Sequence, residues 1–284
     1  MKKHLKYLIG FLILEIVAVS ATIWHTQATM LTTTKETTIS KKNSENSNKN
    51  SRATNDTQSS QKTEVTEETQ PSEEEHISTE VVNENSVALT FDDGPKRETT
   101  TQLLDILAQK NIKASFFILG QNIPGNEDLL KRMKEEGHII GSHSMHHNNL
   151  SQMDLPSLKK DFQNMDDKVK SILKEPVKYI RPPYGAANKQ VATVANRPLV
   201  EWSVDSKDWS SKNTQAIINQ VTQTTEPGSI ILMHDIYPET INAVPSIIDS
   251  LTARGLNFVT VDGLLDHPKE PLNYYGANDH RAVD

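Results

Sequence analysis

The distribution of apolar residues along this chain changes twice. Residues 5–24 form a nearly continuous apolar run, interrupted mainly by Lys6 and Glu15. Residues 31–80 contain few aliphatic side chains and no aromatic one. After residue 80, short apolar runs alternate with segments in which apolar residues recur every three or four positions. These patterns are typical of a segment in a bilayer, of a chain that forms no core, and of a folded domain.

The first segment, residues 1–27, is predicted to direct the chain out of the cytoplasm. About 20 apolar residues suffice to cross a bilayer as a helix, and Lys2 and Lys3 at its start indicate a cytoplasmic N-terminus. Its length favours an uncleaved signal anchor, with the membrane as a partner. The alternative is a signal peptide cleaved near residues 19–21 or 26–28. Both interpretations place the rest of the chain outside the cytoplasm.

Residues 28–80 are predicted to be a disordered stalk, and residues 81–284 a single folded domain. The stalk is rich in Ser, Thr, Asn, Glu, Gln and Lys, so it cannot bury enough apolar surface to offset its ordering entropy. The domain is long enough to form a core. Because the chain has no cysteine, an exported domain must be stabilised by that core rather than by disulfides. The formal charge of −7 argues against a nucleic-acid partner. We expect a monomer.

Strand-like and helix-like segments alternate through the domain. Apolar runs predict strands at residues 87–90, 114–119, 139–140, 199–202, 229–233 and 258–261. Helical periodicity lies between them, most clearly at residues 155–173, 214–224 and 241–251. Such alternation predicts a parallel sheet. The number of steps favours a closed barrel, with an open doubly wound sheet as the alternative.

Two adjacent carboxylates, Asp92 and Asp93, follow the first predicted strand. Because neighbouring side chains on a strand point to opposite faces, the two should have different roles. One could bind a cation while the other handles a proton. An ordinary solvated Asp-Gly turn is the simpler interpretation of these residues taken alone.

Three histidines follow the strand at residues 139–140. His143 and His147 are four residues apart, so on a helical turn they would share one face and could bind one metal ion. His146 offers an alternative pairing with His143, at a spacing of three residues. A surface cluster without a ligand is the remaining interpretation.

Further polar residues follow the later strands. Arg181 precedes two prolines that stiffen its turn, and an arginine beside a carboxylate keeps that carboxylate ionised. Asp208 and Trp209 follow the next strand, and His234 directly follows a buried one, where it is placed to act as a general acid or base. Since the ends of parallel strands meet at one face, we expect these residues to form a single site with Asp92 and His143.

Five motifs give the domain its family resemblance. They are Thr-Phe-Asp-Asp-Gly at 90–94, His-Ser-Met-His-His at 143–147, Arg-Pro-Pro-Tyr-Gly at 181–185, Asp-Ser-Lys-Asp-Trp at 205–209 and Leu-Met-His-Asp at 232–235. In this order they resemble the polysaccharide deacetylases with a NodB homology domain, carbohydrate esterase family 4. Residues 202–235 and the ending around Tyr274 and Tyr275 look most like peptidoglycan N-acetylglucosamine deacetylases of Gram-positive bacteria.

The resemblance implies an α/β fold, a distorted (β/α) barrel of about seven strands. It also implies hydrolytic removal of N-acetyl groups from the glycan of a Gram-positive cell wall, with release of acetate. Chitin-type oligomers or O-acetylated xylan are the alternative substrates. A surface-tethered glycan-binding module without activity, and an iron oxygenase with two histidines and one carboxylate, are the alternatives from other classes.

The family's motifs assign roles to the residues around the two adjacent carboxylates. By resemblance, Asp93, His143 and His147 would bind one divalent metal ion, for which zinc is expected and cobalt, iron or manganese are alternatives. Asp92 would be the general base, kept ionised and oriented by Arg181.

The remaining roles belong to the opposite side of the site. His234 would be the general acid, oriented by Asp208. The backbone N–H of Tyr184 would help to stabilise the oxyanion. Trp209 and Leu232 would line the pocket for the acetyl methyl group.

Overall fold

The computed structural model describes residues 84–284. The predicted segment 1–27 and the predicted stalk 28–80 therefore lie outside the described residues. Within the described part of the chain, no helix is both long and apolar enough to cross a membrane.

The described residues alternate between strands and helices. The strands are β1 (Ser86–Asp92), β2 (Ser115–Ile118), β3 (Ile139–Ser142), β4 (Leu199–Val200), β5 (Val204–Asp205), β6 (Ile230–His234), β7 (Asn257–Val259), β8 (Asn273–Gly276) and β9 (Asp279–Arg281). The helices are α1 (Arg97–Lys110), α2 (Glu127–Glu135), α3 (Leu155–Leu173), α4 (Lys189–Ala195), α5 (Asp208–Ser211), α6 (Thr214–Thr224), α7 (Pro238–Ala253) and α8 (Val261–Leu264).

The main sheet is parallel and has the order β3-β2-β1-β6-β5. The first residues of β1 pair in addition with β7. In this register Asp92 lies beside both Phe117 and His234. Because the strands are parallel, their carboxyl ends reach the same edge of the sheet. The predicted parallel α/β sheet is thus confirmed.

The predicted closed barrel is not. A second sheet, β4-β8-β9, is joined to the first only by isolated bridges, at Ile180 and between Ser229 and Gly276, as far as the described residues show. Pro182 and Pro183 follow the Ile180 bridge, and a proline cannot donate to a ladder. Strand pairing therefore stops after one residue there, and the ring remains open.

The core explains why the first strand is mostly apolar and does not alternate with polar residues. All of β1 is buried. Val87, Leu89 and Phe91 belong to the large cluster that includes apolar residues of α1 and α7, whereas Ala88 packs with a second cluster on the other face. A parallel strand covered on both faces needs no polar alternation. Burial of both faces also fixes the register that brings the strand ends together.

The helices agree with the apolar periodicity where that periodicity is long. The predicted helices 155–173 and 214–224 coincide with α3 and α6. Helix α4 and the β8–β9 hairpin were not predicted. Helix α4 has only seven residues, too short for a clear apolar stripe. It is capped by the preceding residue, Asn188, whose side chain accepts from the Val191 N–H at 3.0 Å.

Candidate metal centre and catalytic cleft

A cleft of about 450 Å³ opens at the carboxyl edge of the main sheet. Asp92 ends β1, His234 ends β6, and His143 directly follows β3. All of the sequence-predicted site residues line this cleft except Arg181 and Asp208, which are fully buried behind its wall. The sheet therefore brings together residues from five separate motifs, as expected from their positions after strands.

Three side chains converge as a candidate metal centre. Asp93 Oδ1 lies 3.7 Å from His143 Nε2 and 3.5 Å from His147 Nε2. The three potential ligand atoms lie within 4.8 Å of one another. The Oδ1 atom of Asp93 is buried and accepts no hydrogen bond from the described residues. A buried carboxylate oxygen without a partner is costly, so this donor set fits a divalent cation.

Each imidazole of the triad is oriented by a polar contact at its Nδ1 atom, on the side of the ring away from Asp93. The Nδ1 of His143 lies 2.7 Å from the backbone carbonyl of Arg181, so it carries the proton and leaves Nε2 free to bind a cation. The Nδ1 of His147 lies 3.1 Å from the Tyr184 hydroxyl. Burial lowers the pKa of His143, although the charges of Asp92 and Asp93 oppose that effect. A neutral imidazole is the form that binds metal.

The turn that joins the two histidines is not helical, which corrects the predicted shared helix face. Ser144 and His147 have φ values of 69° and 58°, in the left-handed region. Ser142 Oγ accepts from the Ser144 N–H at 3.1 Å, and Ser144 Oγ accepts from the His147 N–H at 2.9 Å. The exposed ring of His146 lies 3.2 Å from Gln121 and outside the triad. His147 is therefore the partner of His143.

Asp92 contacts a different set of groups from its neighbour. Its Oδ1 accepts from Nη1 of the fully buried Arg181 at 2.8 Å. Arg181 also donates to Thr90 Oγ1 at 2.7 Å and to two backbone carbonyl groups, at residues 200 and 201. The other Asp92 oxygen lies 3.6 Å from His143 Nε2. A buried charge pair with its donors satisfied holds one carboxylate oxygen toward the triad.

The opposite wall is formed by His234 and Asp208. Asp208 accepts four hydrogen bonds, each of 2.7 Å, from His234 Nδ1, the His234 N–H, the Trp209 N–H and Thr240 Oγ1. Burial alone would lower the pKa of His234. The hydrogen bond and charge of Asp208, with the charges of Asp92 and Asp93, instead raise it to about 9. His234 is therefore a proton donor at neutral pH.

The pKa of Asp208 itself moves the other way. Burial alone would raise it, but the hydrogen bond and charge of His234 and the hydrogen bond from Thr240 lower it below the ordinary range. Asp208 therefore stays ionised and holds the His234 ring in one orientation.

Aromatic side chains form the mouth of the cleft. Tyr184 is 68% exposed and Trp209 51% exposed, the two most exposed large rings in the described domain. Flat rings at a mouth lined by polar groups can stack against the apolar faces of a sugar. Tyr237 and Trp202 also line the cleft and were missed, although Tyr237 follows His234 by only three residues in the same loop.

Comparison with known proteins points to one family. The family model for polysaccharide deacetylases matches residues 79–199. The peptidoglycan-N-acetylglucosamine deacetylase PgdA of Listeria monocytogenes is 37% identical over 69% of this chain, and the chain covers 42% of its length. A peptidoglycan-N-acetylglucosamine deacetylase of Bacillus cereus is 36% identical, over 66% of this chain and 71% of the relative.

Solved structures give the same result. A structure described as "T48 deacetylase with substrate" is 38% identical, with a TM-score of 0.65, over 67% of this chain and 96% of that one. The chain thus spans about two fifths of the length of the Listeria relative but nearly all of this solved chain.

Proposed function

The chain belongs to the polysaccharide deacetylase family, and we propose that it is a metal-dependent hydrolase of cell-wall peptidoglycan. It would remove N-acetyl groups from N-acetylglucosamine residues and release acetate. The observation that supports this function best is the convergence at one sheet edge of a buried, unpaired Asp93 oxygen with two histidines. The names of the Listeria and Bacillus relatives support the choice of substrate.

Asp93, His143 and His147 would hold one divalent cation. Zinc matches a donor set of two imidazoles and one carboxylate, and cobalt, iron or manganese are alternatives for the same ligands. The cation would polarise the acetamide carbonyl and favour ionisation of a water molecule. The protein's part is to orient both imidazoles, through the Arg181 carbonyl and the Tyr184 hydroxyl.

Asp92 would act as the general base. Its second oxygen lies toward the triad, while Arg181 donates a hydrogen bond to the first at 2.8 Å and orients the carboxylate. A carboxylate in that position can take the proton from the attacking water. The adjacency of Asp92 and Asp93 then serves one purpose, because base and metal ligand must reach the same water from one strand end.

His234 would act as the general acid. An amine leaves an amide only when its nitrogen gains a proton, and the His234 ring carries one at neutral pH. Asp208 keeps the Nδ1 proton in place and leaves the other ring nitrogen facing the cleft. The backbone N–H of Tyr184 would donate to the oxygen that gains negative charge. Trp209 and Leu232 would enclose the acetyl methyl group.

The products would be acetate and a free glucosamine amine in the glycan. The site of action would be the cell wall of a Gram-positive bacterium, with the chain anchored through residues 1–27 or secreted. The domain would act as a monomer.

The decisive experiment is an acetate-release assay on isolated peptidoglycan. We expect release by the metal-loaded protein, loss of release after chelation, and recovery when zinc is added back. A parallel panel with N-acetylglucosamine oligomers and O-acetylated xylan, scored for free amine and for lost ester, tests the substrate. Binding of glycan without release of acetate from any member of the panel would refute the hydrolase, and coupled oxygen consumption would favour the oxygenase.

A further inference from the structure

A second groove adjoins the catalytic cleft and has no role in the chemistry described above. It has a volume of about 810 Å³, within the range of small-molecule sites. Tyr237 lines both cavities. Asp93 and His147 line both as well, so the groove opens directly beside the candidate metal centre. A polymer with one sugar in the cleft would therefore have its next unit beside or within this groove.

The groove has a mixed lining, in which prolines and aliphatic residues lie beside hydrogen-bonding and basic groups. Gln121, Asn122 and Asn126 supply side-chain amides, and the amino groups of the two asparagines already donate to backbone carbonyls. Arg97 and Lys96 supply positive charge, but in different ways. Both Arg97 Nη atoms are committed to Asp128, at 2.6 Å and 2.7 Å.

Lys96, in contrast, has no carboxylate partner in the described part of the chain. Its Nζ donates to the backbone carbonyl of Ile236 at 3.1 Å, which holds the ammonium beside the residue that precedes Tyr237. A lysine ammonium has three N–H donors, so two remain for a ligand. An exposed lysine ammonium that is held in place and has no carboxylate partner in the described residues is suited to a carboxylate ligand.

We propose that this groove takes the sugar next to the one being deacetylated, and that Lys96 binds a carboxylate on that sugar's substituent. The inference rests on the proposed function and narrows its substrate class to an acidic alternating glycan. In peptidoglycan each N-acetylglucosamine neighbours an N-acetylmuramic acid, which carries a lactyl ether. Its carboxylate is either the lactyl group itself or, when that group is amidated, part of the attached peptide.

A contact with Lys96 would let the protein distinguish peptidoglycan from chitin-type glycans, which the cleft alone cannot do. The cleft recognises an N-acetyl group on a sugar, which chitin-type glycans share with peptidoglycan. Chitin-type glycans carry no carboxylate, so Lys96 gains a partner only with the muramic acid polymer. Such a contact at the rim should act mainly on binding rather than on the chemical step.

The test compares the metal-loaded wild-type chain with Lys96→Gln and with Lys160→Gln. Lys160 is an exposed lysine of α3 that lines neither cavity, so it controls for loss of a surface charge. The substrates are a bare tetrasaccharide with free lactyl carboxylates, the same tetrasaccharide with peptides attached, and an uncharged N-acetylglucosamine tetrasaccharide. Acetate release gives KM and kcat for each, at low and high salt.

In Lys96→Gln we expect KM to rise about three- to tenfold for the carboxylated substrates, with kcat within about twofold of wild type. KM for the uncharged substrate, and every value for Lys160→Gln, should not change. A KM effect on both carboxylated substrates assigns the lactyl group, and an effect on the peptide-bearing one alone assigns the peptide. Equal changes for charged and uncharged substrates, or none, would overturn the proposal.

Failure of the proposed function gives a different result. In that case the wild-type chain releases acetate from none of the three substrates. Calorimetric binding of the carboxylated tetrasaccharides to zinc-loaded wild type and Lys96→Gln then decides the groove by itself. Weaker binding in the variant, lost at high salt, supports the carboxylate contact, and equal binding refutes it.

Discussion

The two walls of the catalytic cleft differ in how completely the protein satisfies their carboxylates. On one wall, Asp208 accepts four hydrogen bonds of 2.7 Å, two of them from His234. On the other, a buried oxygen of Asp93 accepts none from the described residues. The His234 wall is therefore complete as protein alone, whereas the triad wall lacks a positive partner. We therefore expect the first wall to be complete without a ligand and the second to be completed by a bound cation.

The largest effect should come from removing a triad ligand. His147→Ala and Asp93→Ala should each lose bound metal and lower kcat/KM at least about a thousandfold, since both water activation and carbonyl polarisation are lost. Metal content after dialysis and acetate release are the measurements. His146→Ala is the matched control, because its ring lies outside the triad against Gln121. Full metal content in His147→Ala would show that the triad is not the binding site.

A smaller effect should come from changes to the wall formed by His234 and Asp208. Asp208→Asn should lower kcat about a hundred- to a thousandfold and leave metal content unchanged, because an amide no longer stabilises the protonated His234 ring. Losing the carboxylate also lowers the pKa of His234. If His234 is the general acid proposed above, it must be protonated, so activity falls as pH rises through its pKa. The alkaline limb of the pH profile should therefore move to lower pH.

Thr240→Val is a milder change to the wall formed by His234 and Asp208. It removes one of the four donors to Asp208 and keeps the carboxylate. We expect a loss of kcat of a fewfold and a small shift of the alkaline limb. Metal loss in either variant would show that the two walls are not independent.

Glu201 is a further buried carboxyl group that belongs to neither the Asp208 hydrogen-bond network nor the metal triad. It is 1% exposed, and neither of its oxygens is hydrogen-bonded within the described residues. Burial raises its pKa to about 7, against the lowering effect of Arg181 and with a contribution from Asp92. The folded form therefore binds more protons than the unfolded form between about pH 4.5 and 7, so the free energy of unfolding falls as pH rises across that window.

Glu201→Gln should remove this pH-dependent decrease in the free energy of unfolding. At pH 8 we expect the variant to be more stable than wild type by about 2 to 3 kcal/mol, and at pH 4 to be about equal. Urea unfolding at both pH values measures this, with the exposed Glu135→Gln as control. Some slope should remain, since burial also raises the pKa of Asp235 to about 7. Identical pH dependence in variant and wild type would mean that Glu201 is paired.

Sequence patterns predicted which residues meet at the site, but not the loop conformations that orient them. Because parallel strands end at one edge, the polar residues after apolar runs had to meet, and Asp92 and His234 do lie side by side in register. The loop conformations had no such signal. Asp93, with φ of 71°, and Tyr184, with φ of 66°, are non-glycine residues in the left-handed region, a conformation that local sequence rarely specifies.

Other features depended on distant contacts. The open ring follows from single-residue pairing at Ile180 beside two prolines, whereas counting strands predicted closure. The second groove depends on Lys96 reaching the carbonyl of Ile236, 140 residues away in the chain. Neither a spacing nor a periodicity could reveal that contact.

The smallest predicted effect is a change in the pKa of His234 when the triad binds a cation. Its size reports the electrostatic coupling between the two walls. The charges of Asp92 and Asp93 contribute to the raised pKa of His234, which is about 9 without a cation. A divalent ion held by the triad should offset those charges and lower this pKa by roughly one unit, while Asp208 keeps it above the ordinary value. NMR titration of the His234 ring in metal-free and zinc-loaded protein measures the shift, with His280, outside the cleft, as the internal reference. An unchanged pKa would mean that the cation binds elsewhere or that solvent screens the walls from each other. A downward shift would support the proposed role of His234, because a cation bound by the triad would then make its proton easier to transfer to the leaving amine.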